Sequence, residues 1–540
     1  MKTVILKLVV IMGCIVSLGL YQPSAAEAEQ ACDIPDQVQA EHWCCKELRE
    51  LGTIYQAAEK LPEKPLVSRR ELARLLLPIL EKAAEKYEKE GPNAIPQGDL
   101  ERIARLEEVL RKDLAELPGY LERRDTIEKM LAKPEAPPFE YKLGINGFLR
   151  GEGAGNFRLK DVSYTPGYTR GRLVYRLKPY AYWHPTDYLD FHIEGQGYGY
   201  AREHDMDNSH YSLYQGYLEA RLPDTNRLAI KGGRQEFSYG SAFILGANGF
   251  YDGLAFDAGR LRVKPIEPLT IDLLGGTYAT PFSNGLKGNL FGGYATYGIS
   301  EGTAIEAYVF RDTGAAFRHP GEELFVWGLR GTAKFGPVSL ELEPVYESGA
   351  VFSEARGGND HISAYGGHLD ISYESAVAGH TTKTFLSYAL GSGSKDAATG
   401  ISAAREFRNP NNDISQVGDM GMFGDLSGLT VNDHHASGLQ IFTLGWGIDF
   451  TKEVNLSATG HYFLANHVED TFSRELGLEA DFTLTWKIND DLSLIVGYDH
   501  FFAGRFIRDA SGSGGDIDYG YCMLQFDLSR SWLKKKPAKS

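Results

Sequence analysis

Charged side chains recur at even spacings along otherwise apolar stretches: Asp190 with Glu194, Glu341 with Glu343, Glu479 with Asp481, and Arg172 with Arg176 and Lys178. Asp272, Arg330 and Lys383 sit in similar surroundings. Groups of this kind on one face of a strand can hold or steer a charged solute by Coulomb attraction. They do not form a catalytic set. A nucleophile needs a positioned base, and the chain has neither a nucleophile elbow nor an HExxH motif. His434 and His435, with Asp433 and Asp425, have the side chains to ligate a metal, but a polar loop of this composition is ordinarily just solvated. The expectation is no enzyme, with no catalytic residue, no metal and no cofactor.

Even spacing calls for β-strands, where alternate residues share a face. In the stretch from Leu476 to Lys487, Leu476, Leu478, Ala480, Phe482, Leu484 and Trp486 fall on one side. Gly477, Glu479, Asp481, Thr483, Thr485 and Lys487 fall on the other. From Phe139 onward the chain keeps this period over about eighteen strands. Connections after even strands are tight, as at Pro185-Thr186-Asp187, Glu301-Gly302, Gly336-Pro337 and Asp490-Asp491. Those after odd strands are longer, reaching about 43 residues between Ser394 and Gly438. Short turns at one end and long loops at the other are the pattern of a transmembrane barrel, whose polar face lines the lumen. The fold class is therefore expected to be an all-β transmembrane barrel of about 18 antiparallel strands, preceded by a small α-helical periplasmic domain.

That alternation turns Arg172, Arg176, Lys178, Asp190, Glu194, Asp272, Arg330, Glu341, Glu343, Lys383, Glu479 and Asp481 toward the lumen. The basic members gather on the second, tenth and thirteenth strands. Arg234 shares parity with Leu228 and Ile230, which face lipid. A bulge at Gly232-Gly233 is expected to turn it inward, making it a further lining residue. The loop between Ser394 and Gly438, rich in Gly and Asn, is expected to fold over or into the lumen.

The ends and the composition agree. Lys2 and Lys7, the apolar run Leu8 to Leu20, and Ala26-Glu27-Ala28 read as a signal peptide over residues 1–28. No later run is apolar for the ~18 residues that a membrane helix needs. The chain has 61 Gly, 30 Tyr and 27 Phe among 540 residues with 24% charged, a balance that suits strands facing lipid on one side only. A net charge of −16 argues against nucleic acid as a partner. Residues 29–133 are rich in Glu, Lys, Arg, Ala and Leu. There Leu100, Ile103, Leu106, Leu110, Leu114, Leu117 and Leu121 lay one stripe along a helix, with Pro118-Gly119 marking a kink or an end. Cys32 with Cys44 or Cys45 is a disulfide candidate in an oxidising compartment. A Pro-rich linker covers 134–138, the barrel 139–533, and a basic tail 534–540.

Three resemblances add to this. Gly233-Arg234-Gln235-Glu236-Phe237-Ser238-Tyr239-Gly240 with Phe250-Tyr251-Asp252-Gly253, and Gly477-Leu478-Glu479-Ala480-Asp481 through Gly497-Tyr498-Asp499-His500-Phe501-Phe502-Ala503-Gly504, resemble the alginate-export family of outer-membrane barrels. That resemblance implies an 18-stranded barrel in the outer membrane. Its implied activity is passage of a polyanionic polysaccharide, and related porins pass small solutes. Glu41-His42-Trp43, Leu48, Leu51 and Ser68-Arg69-Arg70-Glu71-Leu72-Ala73 resemble a surface-layer homology unit. This implies contact with the cell wall through His42, Trp43, Arg69 and Glu71, although Glu59 to Lys64 replaces the family's Gly-containing loop. The last strand, ending at Trp532, resembles the C-terminal assembly signal of such barrels. The implied partners are outer-membrane lipid, the barrel assembly machinery, and peptidoglycan or a periplasmic protein. Because both charge signs line the lumen, the favoured expectation is a porin for passive diffusion of small hydrophilic or anionic solutes. The alternatives are an export channel for an alginate-type polysaccharide, and a tether to the wall or a sheath around an electron-transfer partner.

Overall fold

A computed structural model describes residues 37–534, apart from 40–41, 58–65, 91–94, 132–138, 160–162, 202–209, 223–226, 248–249, 251, 283–286, 315–318 and 320. The expected signal segment, Cys32 and the expected linker fall outside the described residues, as does the tail beyond Lys534. The chain divides into two compact units, a helical one and a β one.

In the helical unit, Trp43–Ile54 (α1), Arg69–Glu90 (α2), Gln97–Leu114 (α3) and Pro118–Leu131 (α4) pack around Leu48, Leu51, Leu72, Leu76, Ile103 and Leu110. Gln37–Gln39 pairs antiparallel with Leu66–Ser68. The α2 start is a capping box: Ser68 Oγ accepts from the Glu71 N–H at 3.3 Å, and the Glu71 carboxylate accepts from the Ser68 N–H at 3.0 Å. The expected leucine stripe holds only as far as Leu114. Pro118 begins a new helix, a position where its missing N–H costs nothing, and Leu121 ends up 54% exposed. Among the described residues, no helix is long and apolar enough to cross a membrane.

The β unit is a closed 18-strand antiparallel barrel. Its first nine strands are β1 Phe139–Arg158, β2 Ser163–Thr186, β3 Leu189–Ala201, β4 His210–Arg221, β5 Leu228–Gln235, β6 Phe256–Ile266, β7 Leu269–Tyr278, β8 Asn289–Ser300 and β9 Thr303–Asp312. The remainder are β10 Glu323–Phe335, β11 Val338–Ser353, β12 Gly358–Val377, β13 His380–Gly391, β14 His434–Asp449, β15 Val454–His467, β16 Glu475–Asn489, β17 Leu492–Ala503 and β18 Ile517–Lys534. Each strand pairs with its sequence neighbour, and β18 closes on β1 from Lys534 opposite Phe139 to Asp518 opposite Gly155. A short strand, Gly428–Val431, extends β14 into the long loop.

The barrel inverts the usual layering because its solvent on the outside is lipid. Ile193, Leu273, Leu329, Leu342, Leu444 and Phe482 stand exposed on the outer face, while Asp190, Glu343, Glu479 and Asp481 are buried inside. Trp183 stacks on Tyr141 and Phe191, with ring centroids 6.1 and 4.7 Å apart, beside the short turns where an interfacial aromatic girdle belongs. One expected outward residue turns in. Phe463 pairs with Gly477 and Leu464 with Glu475, so Leu476 is skipped in a β-bulge and buries against the loop core. Gly477 supplies the φ of +154° this needs, and a Cβ there would strike the Phe501 ring at 2.4 Å.

Candidate functional site: the barrel lumen

The lumen is built from two arcs of opposite character. On β1, β2, β5 and β6, basic groups predominate, each held by a carboxylate or an aromatic face. Glu152 accepts from Arg150 Nε at 2.8 Å and from Arg172 Nε at 2.5 Å. Arg150 also lies 3.5 Å from the centroid of the Tyr521 ring. Lys178 sits 3.7 Å over Tyr214, with Glu194 at 3.4 Å and Glu236 at 3.7 Å. Lys231 lies 3.5 Å over Tyr217, Arg260 reaches Glu219 at 3.2 Å, and Arg262 pairs bidentately with Asp272 at 2.7 Å. Such bidentate and ring-stacked guanidiniums are held in fixed positions, so their field is fixed too.

From β9 to β17 the balance reverses. Arg330 alone serves three carboxylates, Glu306 at 2.6 Å, Glu341 at 2.8 Å and Glu343 at 3.7 Å. His368 lies 3.3 Å from Glu343 and 2.8 Å from Asp370. Beyond these come Glu347, Glu479, Asp481 and Asp499, all buried.

Two loops occupy the space between the arcs. The segment from Glu236 to Ala255 leaves β5 and turns inward, where Phe237, Phe243 and Leu245 bury and Ser241 Oγ donates to Glu343 at 2.8 Å. The segment from Ser392 to Asp433 crosses the interior, as expected of it. Asn411 Nδ2 donates to Tyr278 Oη at 2.7 Å, the Arg408 N–H to Glu347 at 3.1 Å, and the Met420 N–H to Glu479 at 3.1 Å. These anchors lie on β7, β11 and β16. The loops also bond each other, Gly246 N–H to Asn411 C=O at 2.7 Å and Asp413 N–H to Ala242 C=O at 3.0 Å. A cavity of about 490 Å³ remains between the crossing loop and the wall, lined by Glu341, Asp370, Glu374, Lys383 and Gln416.

The structure brings the expected lining residues inside, with one correction. Arg234 stays outside. The register from Gly216 opposite Arg234 to Arg221 opposite Ala229 runs without a bulge, so parity with Ile230 holds. Arg234 pairs bidentately with the outward Asp257 at 2.8 and 2.9 Å and donates to the Leu213 carbonyl at 3.0 Å. The adjacent Gly233, at φ +126°, twists the chain, and Gln235 turns inward and donates to the Ala258 carbonyl at 2.9 Å. The Gly-Arg-Gln run is thus the hinge where the wall gives way to the first inward loop. The lining residues that sequence reasoning missed were Arg150, Lys231, Arg260, Arg262, Glu306, His368 and Asp499. Continuing the parity from outward Leu149, Ile230 and Leu261 would have found the first four.

The other candidate positions have local partners. Arg69 is 15% exposed and donates to Asp113 at 3.1 Å and to the Val109 carbonyl at 2.7 Å, while Glu71 is the capping carboxylate. Arg105 lies 5.1 Å over Trp43, and His42 Nδ1 is 3.0 Å from Cys44 Sγ. Burial pushes the Cys44 thiol up to about 12, with the neighbouring Cys45 adding to the shift. His434 and His435 turn to different carboxylates, Glu469 at 3.1 Å and Glu406 at 2.7 Å, and so do not converge on one ion.

A family model described as alginate export matches residues 172–517, from within β2 to the start of β18. Similar solved structures include those of Pseudomonas aeruginosa OccK11 (OpdR), at 14% identity, covering 73% of this chain and 98% of that one with a TM-score of 0.48. P. aeruginosa OpdK with vanillate gives 12%, 72%, 99% and 0.47, and Acinetobacter baumannii OccAB1 gives 11%, 72%, 96% and 0.46. No curated protein matches the chain by sequence. The matched stretch takes in nearly the whole closed barrel and well over half of the chain, and the chain belongs to the alginate export family, as an outer-membrane channel and not an enzyme.

Proposed function

We propose that the channel passes small hydrophilic solutes by passive diffusion, one at a time, through the space left between the basic arc and the two inward loops. The observation that carries this is the bonding of the loops to one another and to walls on different sides of the barrel, which takes up part of the bore. Solutes bearing a carboxylate gain from Arg176, Lys178 and Lys231, because opposite charge in a confined low-dielectric path raises their local concentration.

Export of an anionic polysaccharide is the second reading, favoured by the family's description. Purified protein in planar bilayers separates the two. Diffusion of small solutes predicts steady single-channel steps that oligouronates block weakly and independently of chain length. Block that strengthens with each added uronate unit would favour the polymer. A barrel that never conducts would overturn both readings.

We further propose that residues 29–133 lie in the periplasm. Both ends of the barrel sequence, Phe139 and Lys534, fall at the end with the short turns, which in such barrels is the periplasmic one. A protease tag inserted before Gln97 should be cut only after the outer membrane is permeabilised. Cutting on intact cells would refute the placement.

A further inference from the structure

Asp481 on β16 and Asp499 on β17 are direct partners across the ladder. Both face the interior, at 4% and 0% exposure, and among the described residues none of their four carboxylate oxygens has a hydrogen-bond partner. Glu479, two residues along the same face, is fully buried and has one oxygen in the same state. Asp419, on the crossing loop, lies between Gly418 and Met420, both of which meet Glu479, and so sits beside the same acids. Like charges directly opposite in a sheet repel, and an unpaired buried carboxylate is costlier still.

The cations at hand do not balance four acids. His461 Nε2 is 3.2 Å from Asp481, while its Nδ1 faces Thr443 Oγ1 at 2.8 Å. Arg150 lies near enough for its charge to act on Asp419 and Asp499, but it is hydrogen-bonded to Glu152 and Tyr519 and is shared with Glu152. A different trio, Glu341, Glu343 and His368, is the set among the described residues whose ligand atoms fall within 4.8 Å of one another, but Arg330 already sits against its carboxylates. Among the described residues, no guanidinium is hydrogen-bonded to Asp481 or Asp499.

We propose that Asp481 and Asp499, with Glu479 and Asp419, bind a hard divalent cation of the calcium class, which pins the crossing loop to the barrel wall. An all-oxygen, multiply acidic donor set selects that class over softer metals. The four carboxylates do not lie within 4.8 Å of one another as a group, so chelation requires their side chains to turn toward a common point. The loop already rests on this spot. The Met420 N–H donates to Glu479, a Cβ on Gly418 would meet a Glu479 oxygen at 2.5 Å, and Phe423 stacks on Phe463 at 4.2 Å. An ion here joins β16, β17 and the loop, and so fixes how the lumen is divided. This holds whichever solute passes.

The test uses full-length protein in detergent, stripped with EDTA and titrated with terbium. Tyr519, the ladder partner of Asp499, serves as the luminescence antenna. The expected result is saturable sensitised emission that calcium displaces. D499N and D481N should each weaken binding about tenfold or more, while E453Q, in an exposed turn, leaves it unchanged. D419N, which leaves the wall intact, is read in their place should neither wall variant fold, and it should weaken binding in the same direction. No saturable emission from the stripped wild type, or folded variants that titrate like it, overturns the proposal.

Discussion

A guanidinium on the lipid side of a strand must bring its counter-charge with it, because a lone charge at mid-depth costs ~2–4 kcal/mol. Arg234 does this with Asp257, and its guanidinium also donates to the Leu213 carbonyl. Sequence parity placed Arg234 outward, but the assumption that a lipid-facing charge must be removed by a bulge overrode it. What the sequence did not display was the partner, since Asp257 lies 23 residues away and meets Arg234 only through the β5–β6 register. Arg234→Leu should therefore destabilise the barrel by about 2–4 kcal/mol by stranding Asp257, whereas the double replacement by leucine should recover most of the loss. Urea unfolding in lipid vesicles reads both, and equal losses in the two variants would refute the pairing argument. Arg69 makes the same point in the helical unit. The resemblance to a surface-layer homology unit implied an external ligand for it, yet Asp113 and the Val109 carbonyl already engage it. Arg69→Ala should cost about 1–3 kcal/mol in the denaturation of a fragment covering residues 29–133, since it leaves a partly buried carboxylate and carbonyl unpaired.

Elements were legible in proportion to how regular they are. The tight turns at Glu301-Gly302, Gly336-Pro337 and Asp490-Asp491 lie where the alternation put them, because a two-residue connection leaves the chain little choice. The inward loops were only partly legible. Length and composition flagged the segment after β13, but nothing in the pattern of Glu236–Ala255 announces that it also turns in. Its apolar residues, Phe237, Phe243 and Leu245, resemble outward strand residues until the Gly233–Gln235 hinge is seen. The crossing loop is held by wall contacts on several strands, so removing it should open the lumen without breaking the ring. Deletion of 398–425, with a short Gly-Ser bridge, is expected to raise single-channel conductance while the folded barrel keeps its heat-modifiable gel mobility. Unchanged conductance in such a folded variant would mean that the loop does not set the narrowest passage.

At the scale of the whole molecule, the strand count was readable because a miscount would have broken the alternation of short and long connections. The division of charge around the ring was not, since it depends on which strands face each other across the lumen. That division makes a prediction independent of the permeating solute. Lys178 sits between Glu194 and Glu236, so neutralising it together with Arg176 should leave those carboxylates dominating their stretch of the path. The double variant R176Q/K178Q should shift the reversal potential toward cation preference, relative to wild type, whatever the wild type's own sign. The shift must also depend on salt. The screening length is about 10 Å at 0.1 M and about 3 Å at 1 M, so fixed charges act across a lumen at low ionic strength and only on contact at high. The difference between variant and wild type should therefore be largest near 0.1 M potassium chloride and shrink toward 1 M. Identical reversal potentials at low salt would show that permeating ions do not pass within reach of the basic arc, and the proposed path would have to be moved to the acidic side of the crossing loop.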